Sequence, residues 1–264
     1  MDSQQACLLL FDIGNTGIKV GLASESTVLT SYTLRTDAGQ TADDAGLKLL
    51  GLMRHANLPP EALHACVACS VVPNRNHIMR EMCRRYFHRE LLFAPEDIPV
   101  PLLNHYERPS EVGADRLVGA YAARKLIPEA TSLICVDFGT ALTFDCVTQN
   151  AYLGGLIFPG VHTAALALAG NTAKLPDVSL EFDDAAPVPG RSTATSISHG
   201  IVFGYAALVE GLCARLSSQL APPVATLATG GFAAEIHKIT PCFSRLAPGL
   251  LLEGLRLLYL ENKG

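Results

Sequence analysis

The chain has 264 residues, enough for one large domain or two of about 130, and folding should bury roughly 70–75% of its extended surface. A net charge of −5, with no run of Lys and Arg interleaved with aromatics, argues against a nucleic-acid partner. Hydrophobic residues make up 49% of the chain and charged ones only 17%, which points to apolar surface shared with a second subunit.

Asp2 stands where a signal peptide would be basic, and the first apolar stretch stops at Asp12. No uninterrupted apolar run approaches the roughly 20 residues that span a bilayer, so a cytoplasmic protein away from membranes is expected. In a reducing compartment the eight cysteines are expected as unpaired thiols, Cys66-Val67-Ala68-Cys69 included, since that pair lies in a strand-like run.

The first predicted element is the run Leu8 to Phe11, which delivers Asp12 to a turn of Gly14, Asn15 and Thr16. Ile18, Val20 and Leu22 then alternate, so the stretch reads as strand, tight turn and returning strand. Gly14 and Gly17 permit positive φ and a close approach of backbone N–H groups to an anion, and Asp12 suits a hydrated divalent cation beside it. Thr27 to Leu34 reads as a third strand. Thr41-Ala42-Asp43-Asp44 has the form of a capped helix start, with both acids as dipole partners.

Residues 64–72 read as a strand and Pro73 opens a helix with Arg80, Arg84, Arg85 and Arg89 on a solvated face. After a short strand at 91–94, residues 95–109 form an irregular, proline-rich connection in which Tyr106 is a candidate aromatic contact. Glu111-Val112-Gly113-Ala114-Asp115-Arg116 opens the next helix. Asp115-Arg116 has two readings, a dipole partner with a surface ion pair, or a catalytic carboxylate beside a guanidinium that binds an acidic substrate.

The opening pattern recurs 125 residues on, as Leu133-Ile134-Cys135-Val136-Asp137-Phe138-Gly139-Thr140 followed by another strand. Asp137 aligns with Asp12, Gly139 with Gly14 and Thr140 with Asn15. Two similar halves are therefore expected, 1–128 and 129–264, whose hairpins would grip a polyphosphate from both sides. A strand over 152–158 is interrupted by Gly154-Gly155, and Pro159-Gly160 starts a small-residue helix. A loop at 174–191 leads to a long helix over about 193–220, the expected place of subunit contacts. Val224 to Ala228 reads as a strand, Gly230-Gly231 as a turn open to a flat ligand such as adenine, Phe232 to His237 as a helix, and residues 250–259 as a terminal packing helix. No Walker P-loop, Gly-x-Gly-x-x-Gly or paired metal-ligand histidines occur, which leaves the two hairpins as the phosphate machinery.

Asp-Ile-Gly-Asn-Thr at 12–16, Gly-Ala-Asp-Arg at 113–116, Asp-Phe-Gly-Thr-Ala-x-Thr at 137–143, Leu-Gly-Gly-x-Ile-x-Pro-Gly at 153–160 and Ala-Thr-Gly-Gly at 228–231, in this order, closely resemble type III pantothenate kinases. Cys69 to Pro73, Thr172-Ala173-Lys174-Leu175-Pro176 and Leu252 to Arg256 share the likeness. The resemblance implies an α/β fold of duplicated ribonuclease-H-like halves, the actin-like ATPase fold, around a central nucleotide cleft. It implies a homodimer and transfer of the ATP γ-phosphate to pantothenate, the first step of coenzyme A synthesis. On this resemblance Asp115 is the general base, and Gly113, Ala114, Asp115 and Arg116 with Tyr106 contact substrate, joined by Thr193 from the second subunit. Asp12 organises Mg2+, Gly14, Asn15, Thr16, Gly17 and Lys19 with Thr140, Gly230 and Gly231 bind ATP, and Asp137 ligates potassium or ammonium. The chain departs from the family pattern at Arg108 and at His199, to which no role is assigned, and Thr195 competes with Thr193. The alternatives are a kinase of another small acid on the same fold and a non-catalytic nucleotide-binding regulator.

Overall fold

The computed structural model describes residues 7–37, 39–172, 174–182 and 187–263. Ala173 and residues 183–186 of the expected loop lie outside them. Contacts divide the chain into two compact units, one of Met1–Leu102, Glu107–Ala122 and Gly249–Gly264, the other of Leu103–Tyr106 and Ala123–Pro248. This division differs from a single cut at 128/129, because a four-residue segment and the C-terminal helix each pack with the half from which they are distant in sequence.

In the first unit, β1 (Cys7–Ile13) pairs antiparallel with β2 (Gly17–Ala23), which pairs antiparallel with β3 (Val28–Arg35). The next helix, α1 (Ala42–His55), begins at a capping box in which Thr41 Oγ1 accepts from Asp44 N–H and Asp44 accepts from Thr41 N–H. Asp44 thus serves the helix start as expected, whereas Asp43 binds Arg85 at 2.9 Å and accepts from the Tyr86 hydroxyl at 2.7 Å. Both partners lie on α2 (Pro73–Phe87), which follows β4 (Leu63–Ser70). The arginines of α2 are largely paired rather than bare, Arg80 with Asp97 and Arg84 with Glu90, so that face offers little free positive charge. With β5 (Leu91–Ala94) the sheet order is β3-β2-β1-β4-β5, the last two joins being parallel.

The central strand is buried on both faces, which is why it reads as a continuous apolar run. Leu9, Phe11 and Ile13 face a cluster with Leu49 and Met53 of α1 and Met79 and Met82 of α2. Leu8 and Leu10 face the opposite cluster, with Val118 and Tyr121. These faces also separate Cys66, in the first cluster, from Cys69, in the second, so the Cys-x-x-Cys is two buried strand residues.

Next, β6 (Leu103–Asn104) interrupts the expected irregular connection and adds an edge strand to the second unit. Helix α3 (Ala114–Leu126) follows Gly113. The second unit then repeats the first: β7 (Ser132–Phe138), β8 (Ala141–Thr148) and β9 (Ala151–Pro159) form an antiparallel meander. In β9 the Gly154 interruption is a register shift with φ of +118°, and the strand continues through it. Helices α4 (Val161–Asn171) and α5 (Thr193–Ser217) pack on one face, and β10 (Val224–Gly230) joins β7 in parallel. After α6 (Ala233–Ile239), β11 (Arg245–Leu246) extends the sheet beyond β10. Its order, β11-β10-β7-β8-β9-β6, contains β9-β8-β7-β10-β11, which is the first sheet's order and strand senses over again.

By length and composition α5 could cross a membrane, but Ile197, Ile201, Val202, Ala206, Val209 and Cys213 bury one side of it in the second unit's core. The last helix, α7 (Leu250–Asn262), belongs to the first unit. Its Leu251, Leu252, Leu255 and Leu258 fill the cluster on the Leu8/Leu10 face, each buried leucine contributing about 1.5–3 kcal/mol. Close approach here needs glycine: a Cβ on Gly254 would stand 3.0 Å from Val118 backbone oxygen.

Candidate active site

Asp12 is the penultimate residue of β1, opposite Lys19 on β2 and Cys69 on β4. Strand alternation puts it on the Leu8/Leu10 face, where its side chain is 13% exposed. Lys19 Nζ lies 3.5 Å from Asp12 Oδ2, and the Cys69 thiol donates to Oδ1 at 3.9 Å. Burial raises the Asp12 carboxyl above its ordinary range; Lys19 pulls it back and the field of Asp115 raises it further. Two partly buried carboxylates that feel each other and the same ammonium make a donor set of hard oxygens suited to a divalent cation.

Asp115 occupies the first turn of α3, where its Oδ1 accepts from the Arg116 N–H at 2.8 Å. Burial raises its carboxyl, and that hydrogen bond and the Arg116 charge oppose the rise. The backbone geometry depends on Gly113, because a Cβ there would overlap Asp115 Oδ1 and touch Val71 Cγ1 at 3.4 Å. Arg116 is buried, so its guanidinium is a fixed rather than a trailing charge. Asp115 and Arg116 stand at a helix start as expected, Arg116 buried and Asp115 partly so, with the Arg116 charge acting on the Asp115 carboxyl.

The turn from β1 to β2 differs from its expected construction. Gly14 N–H donates to Gly17 carbonyl at 3.0 Å, so it closes the turn and leaves the exposed tip to Asn15 and Thr16. Neither Gly14 nor Gly17 has positive φ; what each provides is room, since a Cβ would stand 3.1 Å from Gly17 oxygen and 3.3 Å from Leu34 oxygen respectively. The Thr36 hydroxyl, which the sequence reading did not single out, holds Gly14 carbonyl at 2.8 Å. In the second unit the equivalent turn is one residue shorter, closed by Gly139 N–H to Ala141 oxygen at 3.1 Å. Thr140 follows, its carbonyl held by Gly160 N–H at 3.0 Å and by the Thr163 hydroxyl at 2.7 Å.

Asp137 stands in β7 where Asp12 stands in β1, opposite Thr143 on β8 and Thr229 on β10. Gly230 has φ of +93°, and a Cβ on it would overlap Asp137 Oδ1 and stand 2.6 Å from Phe138 backbone. A carboxylate oxygen beside bare backbone is a cradle that fits a weakly held cation. Gly231 is open by contrast, with nothing within 4 Å of its notional Cβ, and its N–H donates to Phe138 oxygen at 3.0 Å. Of the two, Gly230 packs and Gly231 is accessible.

Tyr106 lies in the second unit, its ring 6.3 Å from Tyr152 and against Gly154. Behind it the Tyr152 hydroxyl donates to buried Asp145 at 2.8 Å. This buried carboxylate on the Asp137 face of β8 was missed, although its alternation with Thr143 was visible. Arg108 is exposed and pairs with Glu111 at 2.9 Å. Thr193 is the first residue of α5 and lines an open depression of about 850 Å³ with Arg191 and Ser196. Thr195 forms the capping box with Ser192 at the start of the same helix. His199 gains a structural role, donating from Nδ1 to Val188 oxygen at 2.9 Å with its ring edge-on to Phe203.

Two sheets of the same strand order, each with a carboxylate at its central strand tip, define an actin-like ATPase fold. A ROK family glucokinase from Streptomyces griseus, solved with glucose and AMPPNP, is similar in fold over 97% of this chain and 100% of its own, with TM-score 0.55 and 13% identity. The family model described as type III pantothenate kinase matches residues 8–215. A protein named type III pantothenate kinase from Nitratidesulfovibrio vulgaris (strain Miyazaki F) is 60% identical over 96% of this chain and 97% of its own. One of the same name from Desulfovibrio desulfuricans is 61% identical, covering 97% of each. The chain belongs to the type III pantothenate kinase family.

Proposed function

We propose that this protein phosphorylates the primary hydroxyl of pantothenate with ATP, giving 4'-phosphopantothenate for coenzyme A synthesis. The observation that carries the proposal is the identity of about 60% over nearly the whole chain to proteins named for this activity.

Asp115 is assigned as the general base that accepts the hydroxyl proton. Its burial, which raises the carboxyl, moves its basicity toward neutral pH, where such a base is worth about 10²–10⁴ in rate. Gly113 and Ala114 shape the backbone around it, and Arg116 is assigned to the pantothenate carboxylate, for which a fixed guanidinium suits better than a mobile one. Tyr106, and Thr193 from the second subunit of a homodimer, complete the substrate contacts. Asn15, Thr16, Gly17 and Lys19 are assigned to the phosphates of ATP, with Gly14 supporting the turn, and Thr140, Gly230 and Gly231 to the nucleotide. Asp12 would hold the divalent cation, taken as Mg2+, and Asp137 a potassium or ammonium ion. Those ions supply charge neutralisation at the phosphates when bound. The protein is proposed to work in the cytoplasm, without nucleic acid or membrane.

The test is an acceptor panel: purified protein with ATP, Mg2+ and potassium is offered pantothenate, other small hydroxy acids and sugars, and products are weighed by mass spectrometry. Phosphopantothenate as the dominant product supports the reading. A different phosphorylated acid at much higher kcat/KM would replace pantothenate as substrate.

A further inference from the structure

Tyr106 follows directly on a strand too short to place it. β6 offers Leu103 and Asn104 to the edge of β9, with Leu103 N–H donating to Asn150 oxygen at 2.8 Å and His105 N–H to Tyr152 oxygen at 2.9 Å. Two paired residues fix the backbone locally and leave the next side chain free to swing. The Tyr106 ring instead has a seat: Gly154, where a Cβ would stand 3.6 Å from it, and the Tyr152 ring, 6.3 Å away with 41° between the planes. Its N–H donates to Asn104 Oδ1 at 3.0 Å. Tyr152 therefore holds this segment twice, by its carbonyl and by its ring.

Tyr152 is fully buried, and its hydroxyl donates to Asp145 Oδ1 at 2.8 Å. Asp145 is buried too, and its Oδ2 accepts from the Thr143 hydroxyl at 3.3 Å. Phenylalanine and leucine would fill the same two places without taking a carboxylate out of water. What the polar pair adds is orientation, since the hydroxyl bond sets the depth and tilt of a ring that packing alone would hold less sharply. That ring is the floor on which half-buried Tyr106 rests. None of the roles assigned above uses Asp145.

We propose that Tyr152, held by Asp145, is a positioning residue that fixes the Tyr106 ring and through it the affinity for the acceptor substrate. The inference rests on the assignment of Tyr106 to that substrate. It separates acceptor binding from the chemistry: loosening Tyr152 weakens the hold on the acceptor and leaves the base Asp115 and the ATP contacts as they are.

The test is a double-mutant cycle in the full-length protein, with Tyr152→Phe made in the parent and in Tyr106→Ala, and circular dichroism to show the native fold. In the parent, Tyr152→Phe is expected to raise KM for pantothenate about tenfold, with kcat and KM for ATP within about twofold. In Tyr106→Ala the same change is expected to move KM for pantothenate by less than about twofold, because the ring it positions is gone. Should Tyr152→Phe not fold, Thr143→Val removes the other hydroxyl on Asp145 and is read in the same cycle, with a rise of about threefold expected in the parent alone. Equal effects in the two backgrounds overturn the proposal, as does a folded variant whose KM for pantothenate stays parental or whose kcat and KM for ATP change as much. If another acid replaces pantothenate as acceptor, the cycle is run with that acid, so the substrate assignment and the positioning role fail separately.

Discussion

Gly113→Ala is the sharpest perturbation of the proposed base, because it adds one methyl group and leaves Asp115 in place. The new Cβ overlaps Asp115 Oδ1, the same oxygen that accepts from Arg116 N–H at 2.8 Å. To restore van der Waals separation the carboxylate must retreat by roughly 1 Å, and a displacement of that size at a reacting group costs on the order of 10²-fold in rate. The fold pays less: Ala in place of Gly before a helix costs about 0.5–1 kcal/mol, and Val71 Cγ1 at 3.4 Å is an ordinary contact. Steady-state kinetics by ADP release, with circular dichroism to show the native fold, should give kcat/KM down about 100-fold and a Tm within a few degrees of the parent. A folded variant with kcat/KM within threefold of the parent would refute the reasoning that this carboxylate's position governs the chemistry.

Gly230→Ala should destabilise the protein by about 3–5 kcal/mol, combining a positive φ with a clash against Phe138 backbone, while Gly231→Ala should leave the urea midpoint nearly unchanged. On α1, a Cβ at Gly46 would stand 2.6 Å from Tyr86 Cγ whereas Gly51 has nothing within 4 Å. Gly46→Ala is expected to lower stability by about 1–3 kcal/mol and Gly51→Ala to raise it by about 0.5–1 kcal/mol in the same unfolding assay. Thr41→Ala should cost about 1 kcal/mol through the lost helix cap. The Asp44 carboxyl is held below its ordinary range by hydrogen bonds from Thr41, so its stabilisation is present above the ordinary carboxylate pKa and is lost as pH falls through the lowered folded value. Asp44→Asn should therefore lie below the parent in stability at pH 7, with the gap closing in acid.

The hairpins were legible because their signals are local: an apolar run, a carboxylate and a glycine turn need no distant partner. The duplicated sheet followed from finding them twice, and β3, β4, β5 and β10 carry enough apolar residues to be seen. By contrast β6 and β11 are two residues each and exist only because a neighbouring strand offers its edge. The side on which α7 packs was hidden for a similar reason, since Leu251, Leu252, Leu255 and Leu258 announce a buried face without saying against what. Within the candidate site, glycine was read as conformational freedom at Gly14 and Gly17, where its use is room, and positive φ occurs at Gly154 and Gly230 instead. Asp43, His199, Thr36 and the Tyr152–Asp145 pair acquire their partners across gaps in sequence, and no periodicity encodes those.

Phosphopantothenate formation and ATP binding, measured side by side in the parent and in Asp115→Asn, test both the proposed substrate and Asp115 as its base. Turnover is expected in the parent and a loss of about 10²–10⁴ in kcat in the variant, with the ATP dissociation constant within a few-fold of the parent. Near-parental turnover in Asp115→Asn would remove Asp115 as the base, and a parent that binds ATP yet phosphorylates no pantothenate would contradict the proposed function itself.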